Sequence, residues 1–144
     1  MPKPIPITMT LPAASDFVAV ARLAVSGVAA RMNFSVDIIE DIKVALSEAC
    51  TNAVQHAYVA DTSGNIDIQF NLFQDKLEII VKDHGQGFNP KETTSSKQTE
   101  ETPGSFGLGL GLTFIKSLMD EAQIHSQIGH GTTITMVKYV PQIV

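Results

Sequence analysis

The stretch Ala45-Leu46-Ser47-Glu48-Ala49-Cys50-Thr51-Asn52-Ala53-Val54-Gln55-His56-Ala57 decides how the remainder of the chain is read. Apolar residues that recur at three and four positions stack on one side of a helix of about 3.6 residues per turn, and Ile38, Ile42, Ala45, Leu46, Ala49 and Ala53 recur in that way. Glu40, Lys43, Ser47, Thr51 and Gln55 fall opposite, as a solvated face. At about 100° per residue, Asn52 and His56 land inside the apolar stripe and Glu48 on its border. An amide, an imidazole and a carboxylate turned toward a core must be hydrogen-bonded there or line a cavity that holds something polar. The pattern predicts a helix from Val36 to about Tyr58, capped by Ser35.

Length and composition bound the answer. A chain of 144 residues is read as one domain, 1–144, long enough to bury a core without a disulfide. The single cysteine, Cys50, has no intrachain partner, suits a reducing cytosol and reads as a small core residue. No apolar run approaches the ~18 residues of a membrane span, and the start, Met1-Pro2-Lys3-Pro4-Ile5-Pro6, has no apolar signal-peptide region. A net charge of −5, with Arg22 and Arg31 the only arginines, argues against a nucleic-acid binder and for a protein partner or a small ligand.

Before the central helix, Ile5, Ile7, Met9 and Leu11 alternate with Pro6, Thr8 and Thr10, which predicts an edge strand with one buried face. A helix from Ala13 to about Met32 follows, with Ser15 or Asp16 as cap and Phe17, Val20, Ala21, Ala24 and Val28 as core stripe. Val18, Leu23 and Val25 lie off that stripe, so the second apolar face meets another molecule or the N-terminal segment. After the central helix, Asp61 to Asn65 is a turn by composition. Ile66, Ile68, Phe70 and Leu72, a turn at Gln74-Asp75, then Leu77, Ile79 and Val81 give an antiparallel hairpin with one dry face. Asp83 has the parity of that dry face, so a carboxylate ends the strand on the buried side. Gly85 and Gly87 follow at once and let the backbone turn hard or approach a ligand closely.

From Asn89 to Pro103 the chain is polar and aperiodic, read as a lid or a disordered segment, with the flexible lid placed at about 88–106. It leads into Gly107-Leu108-Gly109-Leu110-Gly111, after which Leu112, Ile115, Leu118 and Met119 predict a third helix. Ala122, Ile124 and Ile128, a turn at Gly129-His130-Gly131, then Ile134 and Met136 predict two more strands. Glycines before a helix favour anions, yet no Gly-Lys-Ser/Thr follows as in a P-loop, and no strand precedes as in a dinucleotide fingerprint.

Taken in order, the helix with Glu48 and Asn52, the strand ending Asp83-His84-Gly85-Gln86-Gly87-Phe88 and the glycines 107, 109 and 111 resemble the GHKL ATPases. That superfamily joins gyrase, heat-shock chaperones, histidine kinases and MutL-type repair proteins. With Ser47-Glu48-Ala49-Cys50-Thr51-Asn52-Ala53, His56-Ala57 and Gly131-Thr132-Thr133, the chain looks most like the bacterial anti-sigma-factor serine kinases of the anti-sigma-B or anti-sigma-F type. The resemblance implies an α+β Bergerat, or histidine-kinase-like ATPase, fold: a two-layer α/β sandwich whose mixed, mostly antiparallel sheet is covered on one face by about three helices. It implies ATP and Mg²⁺, with Asn52 on the metal, Asp83 on the adenine amine, Gly85 and Gly87 beside the base, and Gly107, Gly109 and Gly111 on the phosphates. Thr133 would reach the adenine side, with Thr132 as its alternative; Glu48 would be the general base, and Arg22 would meet a sigma factor. It further implies a cytoplasmic homodimer whose substrate is a STAS-type anti-anti-sigma protein. A nucleotide-gated sigma-binding module without kinase activity and a histidine-kinase catalytic fragment are the alternatives. One departure stands out: from His84 to Gly111 the only cations are Lys91 and Lys97, without an arginine for the transferring phosphate. His56 receives no role.

Overall fold

The structure, a computed structural model, describes residues 3–57, 64–85 and 103–141, and the side chains of all of these except 56–57 and 103–110. Strand β1 (Ile5–Pro12) is followed by a 3₁₀ turn (Ser15–Phe17), helix α1 (Val18–Arg31) and helix α2 (Val36–Asn52). A π-helical turn (Ala53–Ala57), β2 (Asn65–Leu72), β3 (Lys76–Asp83), helix α3 (Pro103–Leu118), β4 (Glu121–Gln127) and β5 (Gly131–Tyr139) complete the described order. The strands form one sheet in the order β1-β2-β3-β5-β4, with every pairing antiparallel. Expected strand parity therefore becomes a two-layer α+β sandwich whose sheet is wholly antiparallel among the described residues.

The inner face of the sheet is apolar because alternate residues of each strand point the same way. Ile68, Phe70 and Leu72 of β2 stand beside Val81, Ile79 and Leu77 of β3, and Ile134 and Met136 of β5 continue the row, all of them buried. Helix α2 lies between α1 and α3 and closes this core with Ile42, Ala45, Leu46, Ala49 and Cys50, none of which is exposed to solvent. Its start is set as the sequence predicts: Ser35 is extended, and its hydroxyl accepts a hydrogen bond from the Ile38 N–H at 3.3 Å. Asn33 just before it takes the left-handed conformation (φ 65°), which ends α1 and directs buried Phe34 into the core. The outer face is polar and internally bonded: Gln69 donates to Asn71 at 2.8 Å, and Asn71 donates to Glu78 at 2.8 Å.

Several expectations are corrected. Helix α1 starts at Val18 without a side-chain cap, so neither Ser15 nor Asp16 serves. Its buried residues are Ala21, Val25, Val28 and Ala29, while Phe17 and Val20 are exposed. Two apolar faces competed for the core, and the one that let small alanines approach α2 was buried. Strand β1 does lie at the edge, but only Leu11 is buried and Ile5 and Ile7 remain exposed, because no helix extends over that end. Ile128 sits in the exposed turn between β4 and β5 and not on a strand. Helix α2 gives way to the π turn after Asn52; Tyr58 and the turn at 61–63 lie outside the described residues.

Replacing the Ser35 hydroxyl should weaken the helix that carries Glu48 and Asn52. Ser35→Ala is expected to lower unfolding free energy by about 1 kcal/mol, read as a lower urea midpoint at unchanged slope.

Candidate functional site

Asn52 closes helix α2 facing inward and is 5% exposed. Its Nδ2 is buried without a hydrogen-bond partner among the described residues. Such a group costs about 1–3 kcal/mol unless a ligand satisfies it. Glu48, one turn earlier and half-buried, makes no hydrogen bond or ion pair among the described residues. Opposite both stands Gly111 of α3. A Cβ added there would stand 2.9 Å from Asn52 Nδ2, 3.1 Å from Glu48 Oε2 and 3.4 Å from Asn52 Oδ1. The missing side chain lets α3 lie against α2 while the two polar groups stay unengaged.

A second wall is built at the end of β3. Asp83 is buried, as its parity predicts, and its Oδ1 accepts the Gly85 N–H at 3.0 Å and the Thr132 N–H at 3.2 Å. Among the described residues its Oδ2 accepts none, which leaves one oxygen free to accept from a ligand. Burial raises the pKa of this carboxyl above its ordinary value, against the lowering pull of the Gly85 and Thr132 N–H groups and of His84. Gly131 makes the close approach possible: its φ is +85°, and a Cβ there would fall 2.3 Å from the Asp83 carbonyl oxygen. The π turn Ala53–Ala57 touches β3, β5 and α3, so it bridges the Asn52 end and the Asp83 end.

The family model that describes a histidine kinase-like ATPase domain matches residues 11–138. The chain belongs to that ATPase family. It is 44% identical over 140 residues to serine-protein kinase RsbW of Bacillus licheniformis, a match covering 93% of this chain and 85% of the relative. Serine-protein kinase RsbW of Bacillus subtilis (strain 168) is 42% identical over 142 residues, with the same two coverages of 93% and 85%. Identity and coverage of this size place the chain in the RsbW group of the ATPase family. Among solved structures it is similar to the RsbU and RsbW domains of a Mycobacterium tuberculosis protein, with a TM-score of 0.71 and 26% identity. That match covers 97% of this chain and 34% of the other, so the chain spans about a third of it.

For an RsbW-like ATPase domain, the site residues fall into three sets. Glu48, Asn52 and Gly111 are brought together, and so are Asp83, Gly85 and Gly131. Gly107 and Gly109 lie within α3 and not in a loop before it. Pro103 suits the first turn of a helix, so α3 begins there and the N–H groups of all three glycines enter its ladder. Each glycine costs that helix about 1 kcal/mol relative to alanine. Gly87, the His56 side chain and the lid from 88 to 102 lie outside the described residues.

Thr133 requires a correction. It pairs with Lys82 and His125 and so lies on the outer face, whereas Thr132 pairs with Asp83 on the inner face and shares a 2.7 Å hydrogen bond with Ser126. Counting parity back from Ile134 and Met136 would have identified Thr132. The tie between Gly131 and Asp83 had no sequence signal beyond the glycine itself. Cys50, beside this site, is fully buried and its thiol is pushed up to about 12 by desolvation, which makes it inert. No helix among the described residues is long and apolar enough to cross a membrane.

Gly111→Ala separates fold from site. A helix-interior alanine gains about 1 kcal/mol over glycine, which offsets the crowding of Asn52, so the thermal midpoint should change by only a few degrees. The new Cβ displaces Asn52 or Glu48, and ATP affinity should fall about tenfold, a loss of about 1.4 kcal/mol, in calorimetric titration.

Proposed function

We propose that the chain is an ATP-dependent serine kinase that also acts as an anti-sigma factor, sequestering a sigma factor and phosphorylating a serine of a STAS-type anti-anti-sigma protein. The observation that carries this reading is the Glu48 carboxylate beside the buried Asn52 Nδ2, both unengaged among the described residues and facing a helix without a side chain at position 111. Kinship with RsbW serine-protein kinases supports it.

In this reading Asp83 Oδ2 accepts the adenine amino hydrogen while Oδ1 keeps its two backbone N–H groups. A base without that amine strands a desolvated carboxylate, which gives adenine selectivity. Gly85 and Gly87 admit the base, and Thr132 takes the position first given to Thr133. The orphaned Nδ2 donor fits a phosphate oxygen, and Asn52 would hold Mg²⁺ through its amide oxygen, the other positions falling to phosphate and water. The ion supplies neutralisation of phosphate charge. At Gly111, where α3 faces Glu48 and Asn52, the missing side chain leaves room for the phosphates. Glu48 takes the proton of the serine hydroxyl as its oxygen bonds to the γ-phosphorus and the bond to ADP breaks.

The finer assignments are part of the same proposal. Arg22, exposed on α1, contacts the sigma factor. Exposed Phe17, Val20 and Leu23 near or on α1, with Ile5 and Ile7 on the edge strand, support a homodimer, and the protein works in the cytoplasm. If ATP and ADP bias which partner binds, each partner biases nucleotide affinity by the same factor.

The test is phosphotransfer to a candidate antagonist. Wild type with Mg-ATP should yield phosphoserine, and Glu48→Ala should slow transfer by about 10²- to 10⁴-fold while still binding ATP. Asn52→Ala should abolish Mg-dependent ATP affinity; unchanged affinity by calorimetry would overturn the site assignment. Absence of phosphoserine with every antagonist would leave the nucleotide-gated sigma-binding module.

A further inference from the structure

The outer face of the sheet carries a side-chain chain at the very end where Asp83 stands. His84 Nε2 lies 2.7 Å from Asp67 Oδ2, and the other Asp67 oxygen accepts the Thr10 hydroxyl at 2.8 Å. Three strands are tied in this way: Thr10 is on β1, Asp67 on β2, and His84 immediately follows β3. The sheet's own support stops here. Asp83 pairs with Ile66 and Thr132 in the last rungs of its two ladders, and residues 84 and 85 lie just beyond them. Two bonds tie them back to the sheet: the Gly85 N–H on Asp83 and the His84 ring on Asp67.

Consecutive residues at a strand end face opposite ways. With Asp83 buried inward and His84 outward, anchoring the imidazole fixes the peptide between them, and with it the direction of Asp83 Oδ2. We propose that His84, held by Asp67 and Thr10 on the outer face, is a positioning residue that aims the Asp83 carboxylate at the base of the bound nucleotide. The clamp acts through Asp83 and touches no ligand itself. The bond from His84 is the largest influence on Asp67, holding its carboxyl below the usual carboxylate range, ahead of the bond from Thr10. By linkage, the folded state then gains stability from Asp67 above its ordinary titration range and loses that gain as pH falls through the lowered value.

This inference rests on the reading that Asp83 recognises the adenine amine, and the experiment separates the two. Affinities for ATP and for purine riboside triphosphate, which lacks the amine, are measured by calorimetry for wild type, Asp83→Asn, His84→Ala, His84→Gln and Asp67→Ala. In Asp83→Asn the amide oxygen keeps the two backbone N–H groups and its nitrogen faces the amine, so preference for ATP should vanish. His84→Ala and Asp67→Ala should each lower the ATP preference about fivefold or more, with the double variant no worse than the worse single one. His84→Gln, which retains a donor, should restore most of it. Equal weakening of both nucleotides in His84→Ala and Asp67→Ala would reduce the clamp to a structural tie and overturn the inference. An unchanged preference in Asp83→Asn would overturn the base-recognition reading beneath it.

Discussion

The distance between α2 and α3 at Gly111 governs this molecule, because a single Cβ at that point would meet both Glu48 and Asn52 at contact distance or closer. With hydrogen there, the helices close over a core containing Ile42, Leu46 and Ile115, all fully buried, while the polar edge of α2 keeps two groups that nothing in the described chain satisfies. A larger residue would have to push Asn52 aside, and Asn52 is too buried to move freely. A buried amide left unsatisfied destabilises by about 1–3 kcal/mol. The apolar layers around it supply the stability that tolerates that cost, and a ligand that restores the missing bond binds with that much in its favour.

The two ends of the site differ in kind. At one end, Asp83 is fixed by two backbone N–H groups, by two antiparallel ladders and by a glycine that lets β5 approach its carbonyl. At the other end the wall is a helix with glycines at 107, 109 and 111, intrinsically one of the weaker helices a chain can make. Under the proposed function, recognition of a flat base benefits from a fixed acceptor. The outer-face chain Thr10–Asp67–His84 belongs to the fixed end and extends it by one residue beyond the last rung of the sheet.

Much of the arrangement was legible before folding. Strand parity put Asp83 on the dry side, and helical period put Asn52 inside a buried stripe with Glu48 on its border; both follow from neighbours within a few residues. Ser35 as cap of α2 is equally local. Errors arose where two local patterns were equally good. Helix α1 offers two apolar faces, and only the approach of α2 decides that Val25 is buried and Val20 exposed. Gly107 and Gly109 read as a loop by propensity, yet Pro103 starts a helix that includes them.

By itself, then, the sequence determined the alternation of elements, the inward direction of Asn52 and Asp83 and the family to which the chain belongs, because periodicity and capping act over one or two turns. Only the tertiary structure decided which residues meet: Gly111 against Glu48 and Asn52, Gly131 against Asp83, Thr132 in place of Thr133, and His84 on Asp67. Those contacts join segments far apart in the chain. Whether such groups touch depends on the register of strands and the spacing of helices, which packing of the whole core fixes and no local pattern encodes.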